Sequence, residues 1–464
     1  MVRSLIIPRF LGPLAYGIWK SLGLVQSYTQ FADLGALAAL KRQVPFYRGR
    51  NDDKSMAEAR DVAFFVNHVA VAIAAAAMMM ASFFVIDPGA ARAMRLFVLL
   101  LYANHVHSFM EQFLYARKEF VYASKINLAL AIVEGVLAIL GTVRFGLDGL
   151  IVGTFIAYAA AALTQLWWIS FDIGFAFRWP TYVDLVKVGF PSHINGMLYT
   201  LFMSVDRMLI LPFLGLEAVG LYGLGMTINE YLFQFSYALG NVIAPRVVER
   251  WSESESMEAI RPLVERPTLA IAMATPMILG AVYFAAGIAV ETLLTSFRGA
   301  LLALQILLVG TFFSSLHRGL SSFFLAIKKQ GRLLPVYGGA VGLNVILVTL
   351  ALSLDWGIEG VAAATSISLA IFSITLICMA RSFFVKGVPA HLDFLARLLA
   401  PLAWGVCAVA LARAAPRLAG GAISPLASSA SGLVVFTVLY SPVLLLAYRL
   451  YGHGLRQPPG QGGI

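Results

Sequence analysis

The chain has 464 residues, of which 60% are hydrophobic and only 12% charged, and its mean hydropathy is +0.82. A water-soluble globule of this size needs more polar surface than 34 Lys+Arg and 24 Asp+Glu supply, so that class is excluded. The net charge of +10 does not indicate nucleic acid, because the basic residues are scattered through short loops rather than gathered beside aromatics on one solvated face.

A helix crosses the hydrocarbon core with roughly 20 apolar residues, since all its backbone polar groups must be satisfied within the segment. In chain order, thirteen segments meet that length: 14–40, 62–86, 95–115, 121–143, 147–170, 183–211, 218–241, 266–290, 300–326, 333–353, 357–380, 394–412 and 432–450. The residues before Arg9 are too few for the apolar core of a signal peptide. The tail from Arg456, rich in Gly, Pro and Gln, reads as a disordered end. Cys378 and Cys407 each sit in an apolar stretch, so neither a disulfide framework nor a Cys/His metal site is expected.

If the loop after the first span is cytoplasmic, that face collects 23 Lys and Arg, from Lys41 to Arg456, while the opposite loops hold 6. The excess sets the orientation. The two halves also resemble each other. Phe113-Leu114 and Lys118 recur as Phe324-Leu325 and Lys329, and Gly146-Leu147-Asp148-Gly149 with Thr154 recurs as Gly357-Ile358-Glu359-Gly360 with Thr365, all at an offset of 211. Phe10-Leu11-Gly12, Ala15, Gly17 and Trp19 match Phe213-Leu214-Gly215, Ala218, Gly220 and Tyr222 at an offset of 203. This is the pattern of an internal duplication. An even number of spans per repeat inserts both halves the same way up, with a pseudo-twofold axis along the membrane normal. The second half begins with the span 183–211 before its Phe-Leu-Gly block, whereas only nine residues precede that block in the first half; a first helix is expected to be missing from a fourteen-span pattern.

The expected architecture is therefore an all-α polytopic membrane protein of two pseudo-symmetric six-helix bundles plus two C-terminal helices. The domains run 1–170 for the N-terminal lobe with its first helix truncated, 171–382 for the C-terminal lobe, 383–455 for two additional helices and 456–464 for the tail.

Arg9-Phe10-Leu11-Gly12-Pro13, Tyr16-Gly17, Asp33-Leu34-Gly35, Pro45, Tyr47 and Gly49 resemble the opening of polysaccharide flippases of the multidrug/oligosaccharidyl-lipid/polysaccharide (MOP) exporter superfamily. Gly189-Phe190-Pro191, Asp206-Arg207 and Phe213-Leu214-Gly215 through Gly220-Leu221-Tyr222 are similar to that family's midpoint. The resemblance extends to about residue 380 and departs at the N-terminus, where the family's first helix is absent. It implies alternating access through a central cavity and export of undecaprenyl-diphosphate-linked oligosaccharide across the bacterial inner membrane for O-antigen or exopolysaccharide synthesis. Its implied partners are the lipid-linked substrate, membrane lipids and other polysaccharide assembly proteins.

Ionisable groups at membrane depth are costly and mark sites. On the span 95–115, Asn104, His107, Ser108, Glu111 and Tyr115 share one face. At offset 211, His107 corresponds to Arg318, which shares its face with Ser314, Ser315, Ser321 and Ser322. Both lie roughly 12 Å below the cytoplasmic end, where a diphosphate loaded from the inner leaflet would meet them. Gln26, Gln30 and Asp33 fall together on the first span; Thr227, Glu230, Gln234, Tyr237 and Asn241 align on another; and Ser124, Asn127 and Glu134 on a third. Arg318, His107, Gln26, Gln30, Asp33 and Gln234 are the substrate-binding candidates. Glu134, Glu230 and Glu111 are candidates for coupling to H⁺ or Na⁺, and Asp206 and Arg207 fit packing or interface roles at least as well as substrate contact.

Away from the span ends, five acids outnumber the bases Arg207 and Arg318, a balance that an anionic substrate alone does not explain. It also suits a cation-coupled multidrug antiporter of the same superfamily. A membrane-embedded polysaccharide polymerase or ligase would display a large external loop, and no external loop here exceeds about twenty residues. There is no G-x-x-x-x-G-K-[ST] loop for nucleotide, no H-E-x-x-H and no Cys/His cluster, so no cofactor, metal or enzymatic chemistry is expected. Gly149 to Gly153 and Gly338 to Gly342 have the spacing of close helix packing. The like orientation of the halves is checked by introducing Ser55→Cys and Ser254→Cys singly in a background lacking Cys378 and Cys407. Both are expected to react with an impermeant maleimide from the same side of the membrane, and labelling from opposite sides would remove the shared orientation.

Overall fold

The computed structural model describes residues 2–169, 173–317, 320–418 and 424–451, and among these every regular element is helical. In chain order the helices are α1 (Val2–Thr29), α2 (Ala36–Gly49), α3 (Asp53–Ala81), α4 (Pro88–Ala116), α5 (Phe120–Trp168), α6 (Trp179–Phe202) and α7 (Val205–Ser254). They continue as α8 (Met257–Thr292), α9 (Leu301–His317), α10 (Leu320–Ala326), α11 (Leu333–Ser353), α12 (Gly357–Arg381), α13 (Val388–Leu418) and α14 (Pro425–Tyr451). Nine stretches of the described residues are long and apolar enough to cross a membrane. On α5 the large apolar side chains Leu128, Ile132, Val136 and Leu140 remain exposed at every fourth position, a stripe that faces lipid. The chain is an all-α polytopic membrane protein.

A straight helix of 49 residues would reach about 73 Å, more than twice the hydrocarbon thickness. Gly146 (φ 59°, ψ −135°) folds α5 back on itself, and Tyr122 near one end stacks on Trp168 at the other with ring centroids 4.0 Å apart. The equivalent turn before α12 uses Gly357 at φ 61°. Gly12 (φ 70°, ψ 172°) and Gly215 (φ 81°, ψ −178°) form a second matched pair, in a backbone region that is essentially reserved for glycine. The predicted offset of 203 is thus carried by one local geometry in both halves. The helical residues before Gly12 hold in the first repeat the place that 205–214 hold in the second.

The first predicted span, 14–40, is not one helix. The chain leaves α1 at Thr29, passes through Leu34 (φ 53°) and Gly35 (φ 92°) and restarts as α2. Asp33 explains the break: its Oδ1 accepts from the Gly35 amide at 3.1 Å and its Oδ2 from the Leu37 amide at 2.7 Å, satisfying donors at the start of the new helix. Asp33 therefore does not share a helical face with Gln26 and Gln30 as the spacing had suggested. The predicted span 183–211 is likewise interrupted, between the end of α6 at Phe202 and the start of α7 at Val205.

The chain divides into two compact units, Met1–Gly220 and Leu221–Ile464. In unit 1, α6 packs on α2 and α3, so a helix that the repeat assigns to the second half lies in the first unit. At the end of that unit a Cβ on Gly17 would collide with the backbone oxygen of Leu216, and a Cβ on Gly220 with that of Pro13. These two contacts are related by the same offset of 203, so the duplicated segments cross through a reciprocal, self-complementary contact. Gly149 and Gly153 meet the backbone at Gly141 and Leu137 across the α5 hairpin, as their spacing predicts. Gly338 and Gly342 do not pack closely: a Cβ added at either would meet nothing within 4 Å, because α11 turns Tyr337, Ala340 and Asn344 inward instead.

In unit 2 the trailing helices α13 and α14 fasten to α8. Phe436 covers Gly280, Phe284 covers Gly432, and the buried Tyr440 hydroxyl donates to the Met273 carbonyl at 3.0 Å. Outside the spans, the Ser55 hydroxyl and amide hold the Asp52 carboxyl below its ordinary pKa while Asp52 caps α3.

Gly17→Ala and Gly220→Ala should each lower the thermal stability of the purified protein, by about 1–3 kcal/mol for overpacking against backbone. Gly23→Ala, at a helical position of α1 with open space around it, should be neutral or stabilising by about 0.5–1 kcal/mol.

Candidate functional site

Polar groups of unit 1 gather where α1, α4 and α5 meet. The face of α4 anticipated from its spacing is realised, and it turns toward α5. Glu111 Oε1 accepts from Asn127 Nδ2 at 2.6 Å and from the Tyr115 hydroxyl at 3.1 Å. One turn deeper, His107 Nδ1 meets Gln165 Oε1 at 3.0 Å, and its ring lies edge-on to Tyr158 with centroids 5.4 Å apart. Tyr158 in turn lies within hydrogen-bonding reach of Asn104 and feels the charges of Glu134, Arg3 and Glu111. Glu134 forms an ion pair with Arg3 of α1. Asn104 Oδ1 and Gln165 Nε2 are buried with no hydrogen-bond partner, so the string retains unsatisfied capacity on both sides of His107.

Arg3, Tyr158 and Gln165 are the members of this string that sequence reasoning missed. At the offset of 203 Arg3 falls on Asp206, which had been singled out, and that correspondence was the available signal. Gln165 was legible as a lone amide in an apolar run, but its partner was not.

Other candidates lie apart from this string. Asp33 is committed to capping α2 and has His193 Nε2 3.8 Å away; Gln26 is half-buried and Gln30 exposed near the end of α1. Thr29, the last residue of α1, is tied to α4 by His105 at 2.9 Å. Asp206 is fully buried and accepts the Arg207 amide at 2.7 Å, while the Arg207 guanidinium donates to the Met203 carbonyl at 2.8 Å. Beside them the Tyr28 hydroxyl meets Ser204 Oγ at 2.6 Å, so this group braces the break between α6 and α7.

In unit 2, Glu230 is exposed on α7. Arg318 and the side chains of Gln234, Tyr237, Asn241, Ser321 and Ser322 lie outside the described residues. Among the described residues Asn229 hydrogen-bonds Thr311, Tyr222 donates to Thr365 at 3.3 Å, and the buried Arg381 pairs with Glu265 at 2.7 Å.

The register between the halves needs one correction. Lys118 (φ 65°) and Lys328 (φ 56°) occupy the same left-handed position in equivalent loops, each followed by an amide bonded back over five residues, Glu119 to Leu114 and Lys329 to Phe324, both at 2.9 Å. The offset here is therefore 210, and it returns to 211 at Gly146 and Gly357. At the offset of 210, His107 falls on His317, whose Nδ1 meets Ser373 Oγ at 2.9 Å and whose ring lies edge-on to Phe372 at 4.8 Å. Among the described residues no group of three or more His, Cys, Asp or Glu could hold a metal ion.

Residues 6–297 match the model of a family described as polysaccharide biosynthesis protein. No curated protein matches the chain. Over 98% of this chain and 96% of its own length, an inward closed conformation of the lipid II flippase MurJ superposes with a TM-score of 0.70 at 15% identity. An inward-facing multidrug resistance MATE family transporter of the MOP superfamily covers 82% of this chain and 93% of its own, with a TM-score of 0.65 at 15% identity. A MOP superfamily transporter from Pyrococcus furiosus Vc1 (DSM3638) covers 82% and 94% with a TM-score of 0.56 at 15% identity. At these identities the likeness is one of fold.

The Arg3–Glu134 pair is tested by a double-mutant cycle. Arg3→Ala and Glu134→Ala should each destabilise, and the double variant should be less damaged than their sum, with a coupling of about 0.5–3 kcal/mol in thermal unfolding.

Proposed function

The chain belongs to the polysaccharide biosynthesis protein family, and on that premise we propose that it is a flippase of the bacterial inner membrane. It would move undecaprenyl-diphosphate-linked oligosaccharide from the cytoplasmic to the outer leaflet by alternating access, without enzymatic chemistry of its own and alongside other polysaccharide assembly proteins. The MOP fold supports this reading, but the observation that carries it is the polar string on α1, α4 and α5. Lipid exposure would penalise every member of that string, whereas a hydrated path for a headgroup uses each of them.

Within this reading the acids divide by their partners. Glu134 is matched by Arg3, so losing its charge strands a cation. Glu111 has only neutral hydrogen-bond partners, Asn127 and Tyr115, and it can exchange H⁺ or Na⁺ without that penalty. Glu111 is therefore the leading coupling residue, ahead of Glu134 and Glu230. Arg318, with Gln234, Gln26, Gln30, Asp33 and His107, is assigned to the substrate path, Arg318 as the ligand of the diphosphate. The same acid excess favours a second reading, a cation-coupled multidrug antiporter.

The experiment is translocation of a fluorescent undecaprenyl-diphosphate saccharide in reconstituted vesicles, run beside a cationic dye. Arg318→Ala should slow saccharide translocation roughly ten- to a hundredfold, the value of one hydrogen bond to a charged group, at unchanged folded yield. Glu111→Gln should remove the dependence on an ion gradient. Unchanged transport in Arg318→Ala removes Arg318 from the path, and transport of the dye in place of the saccharide favours the antiporter.

A further inference from the structure

The loop between α4 and α5 is more ordered than a connection of three residues requires. Glu119 uses both carboxylate oxygens: Oε1 pairs with Arg117 Nε at 2.7 Å and Oε2 accepts from Trp168 Nε1–H at 2.8 Å. Trp168 lies parallel to Tyr122, at 15° between planes, and the Tyr122 hydroxyl donates to the Thr164 carbonyl at 3.2 Å. The carboxylate thus locks a guanidinium and an aromatic pair into one rim. Arg48 of α2 donates to the Arg117 carbonyl at 3.1 Å and brings another guanidinium beside it.

Lys118 stands between these groups. It is exposed, has no acid within ion-pair distance among the described residues, and sits at φ 65°, where a lysine is strained and a glycine would not be. Arg117, Lys118, Glu119, Tyr122 and Trp168 line an open pocket of about 450 Å³ together with Phe120 and Val121. Its lining holds two cations against one carboxylate whose oxygens are already engaged. The pocket lies at the end of the membrane-spanning helix α5, in a loop that the sequence assigns to the face richest in Lys and Arg, which would set it at the level of phospholipid headgroups. An interfacial aromatic belt by itself accounts for Tyr122 and Trp168. It does not account for the carboxylate that aligns them with Arg117, or for a strained, unpaired ammonium.

The second repeat shares the left-handed lysine and the pairing of cations with an aromatic ring, with Lys329 in the place of Glu119. Lys328 takes the left-handed position at φ 56°, and Lys329 and Arg332 each lie 5.2 Å from the centroid of the Phe383 ring.

We propose that the α4–α5 loop is a binding site for the headgroup phosphate of an anionic phospholipid in the adjacent leaflet. Lys118 and the free guanidinium nitrogens of Arg117 pair with the phosphodiester, and the glycerol and upper acyl chain lie along Tyr122 and Trp168. The site is separate from the polar string and does not depend on what the chain transports.

The test uses the full-length protein in detergent micelles with acyl-brominated phosphatidylglycerol or phosphatidylcholine as the quencher of tryptophan fluorescence. The contribution of Trp168 is the difference between the unaltered chain and Trp168→Phe. Quenching of Trp168 should reach its midpoint at a roughly fivefold lower fraction of phosphatidylglycerol than of phosphatidylcholine, the value of one lysine near a charged surface. Lys118→Gln should abolish the preference. Lys118→Gly should abolish it while raising the melting temperature, since it relieves the backbone; a purely structural lysine would not separate the two readouts. If Trp168→Phe does not fold, native mass spectrometry of the unaltered chain and Lys118→Gln should show one fewer retained phosphatidylglycerol in the variant. Equal quenching by both lipids, or retention of the preference without Lys118, overturns the proposal.

Discussion

A charge carried into the hydrocarbon region must find a partner or a wet cavity there, because lipid offers no hydrogen bond and solvates no ion. That constraint organises the interior of unit 1. Arg3 answers Glu134, Asn127 and Tyr115 answer Glu111, and Gln165 answers His107. Each answer comes from a different helix or from the far arm of a hairpin, except Tyr115, one turn from Glu111 on α4. The polar residues therefore fix which helix faces meet. The same constraint makes the leftover capacity informative. A buried Asn104 oxygen and a buried Gln165 amide nitrogen without partners are expensive in a merely structural contact and useful in a path that admits polar cargo.

Glycine does the complementary work, letting backbones approach where no side chain fits. Gly12 and Gly215 turn the chain between helices through a conformation closed to other residues. Gly17 and Gly220 then let the segments after those turns cross at backbone contact. The two turns are related by the offset of 203 and the crossing is reciprocal under that same offset, so the duplication survives as shared geometry even where the side chains have diverged. In the polar interior unit 1 holds Glu134, Arg3 and Glu111, whereas the described contacts of unit 2 include Tyr222 with Thr365, Asn229 with Thr311 and His317 with Ser373.

Much of the fold was legible because hydrophobicity over a span and glycine at a turn are local properties. The helical register of Asn104, His107, Glu111 and Tyr115 was legible for the same reason, since α4 runs unbroken through them. Asp33 shows the limit. Its spacing from Gln26 and Gln30 is helical, but its carboxylate bonds the backbone two and four residues on, and that competition ends one helix and starts the next. The loop after α4 pairs with its counterpart at an offset one residue from that read in the sequence, because similarity among apolar helices does not resolve a one-residue shift whereas a left-handed lysine does.

Composition and pattern alone determined that the chain is helical, crosses the membrane many times and is duplicated, since each follows from what single segments tolerate in lipid. Only the tertiary structure decided that Glu134 is neutralised by Arg3, that Glu111 is left with neutral partners, that α6 lies in the first unit and that Trp168 closes over the loop at Lys118. Those outcomes depend on side chains distant in sequence meeting within hydrogen-bond distance, and no local signal carries that information.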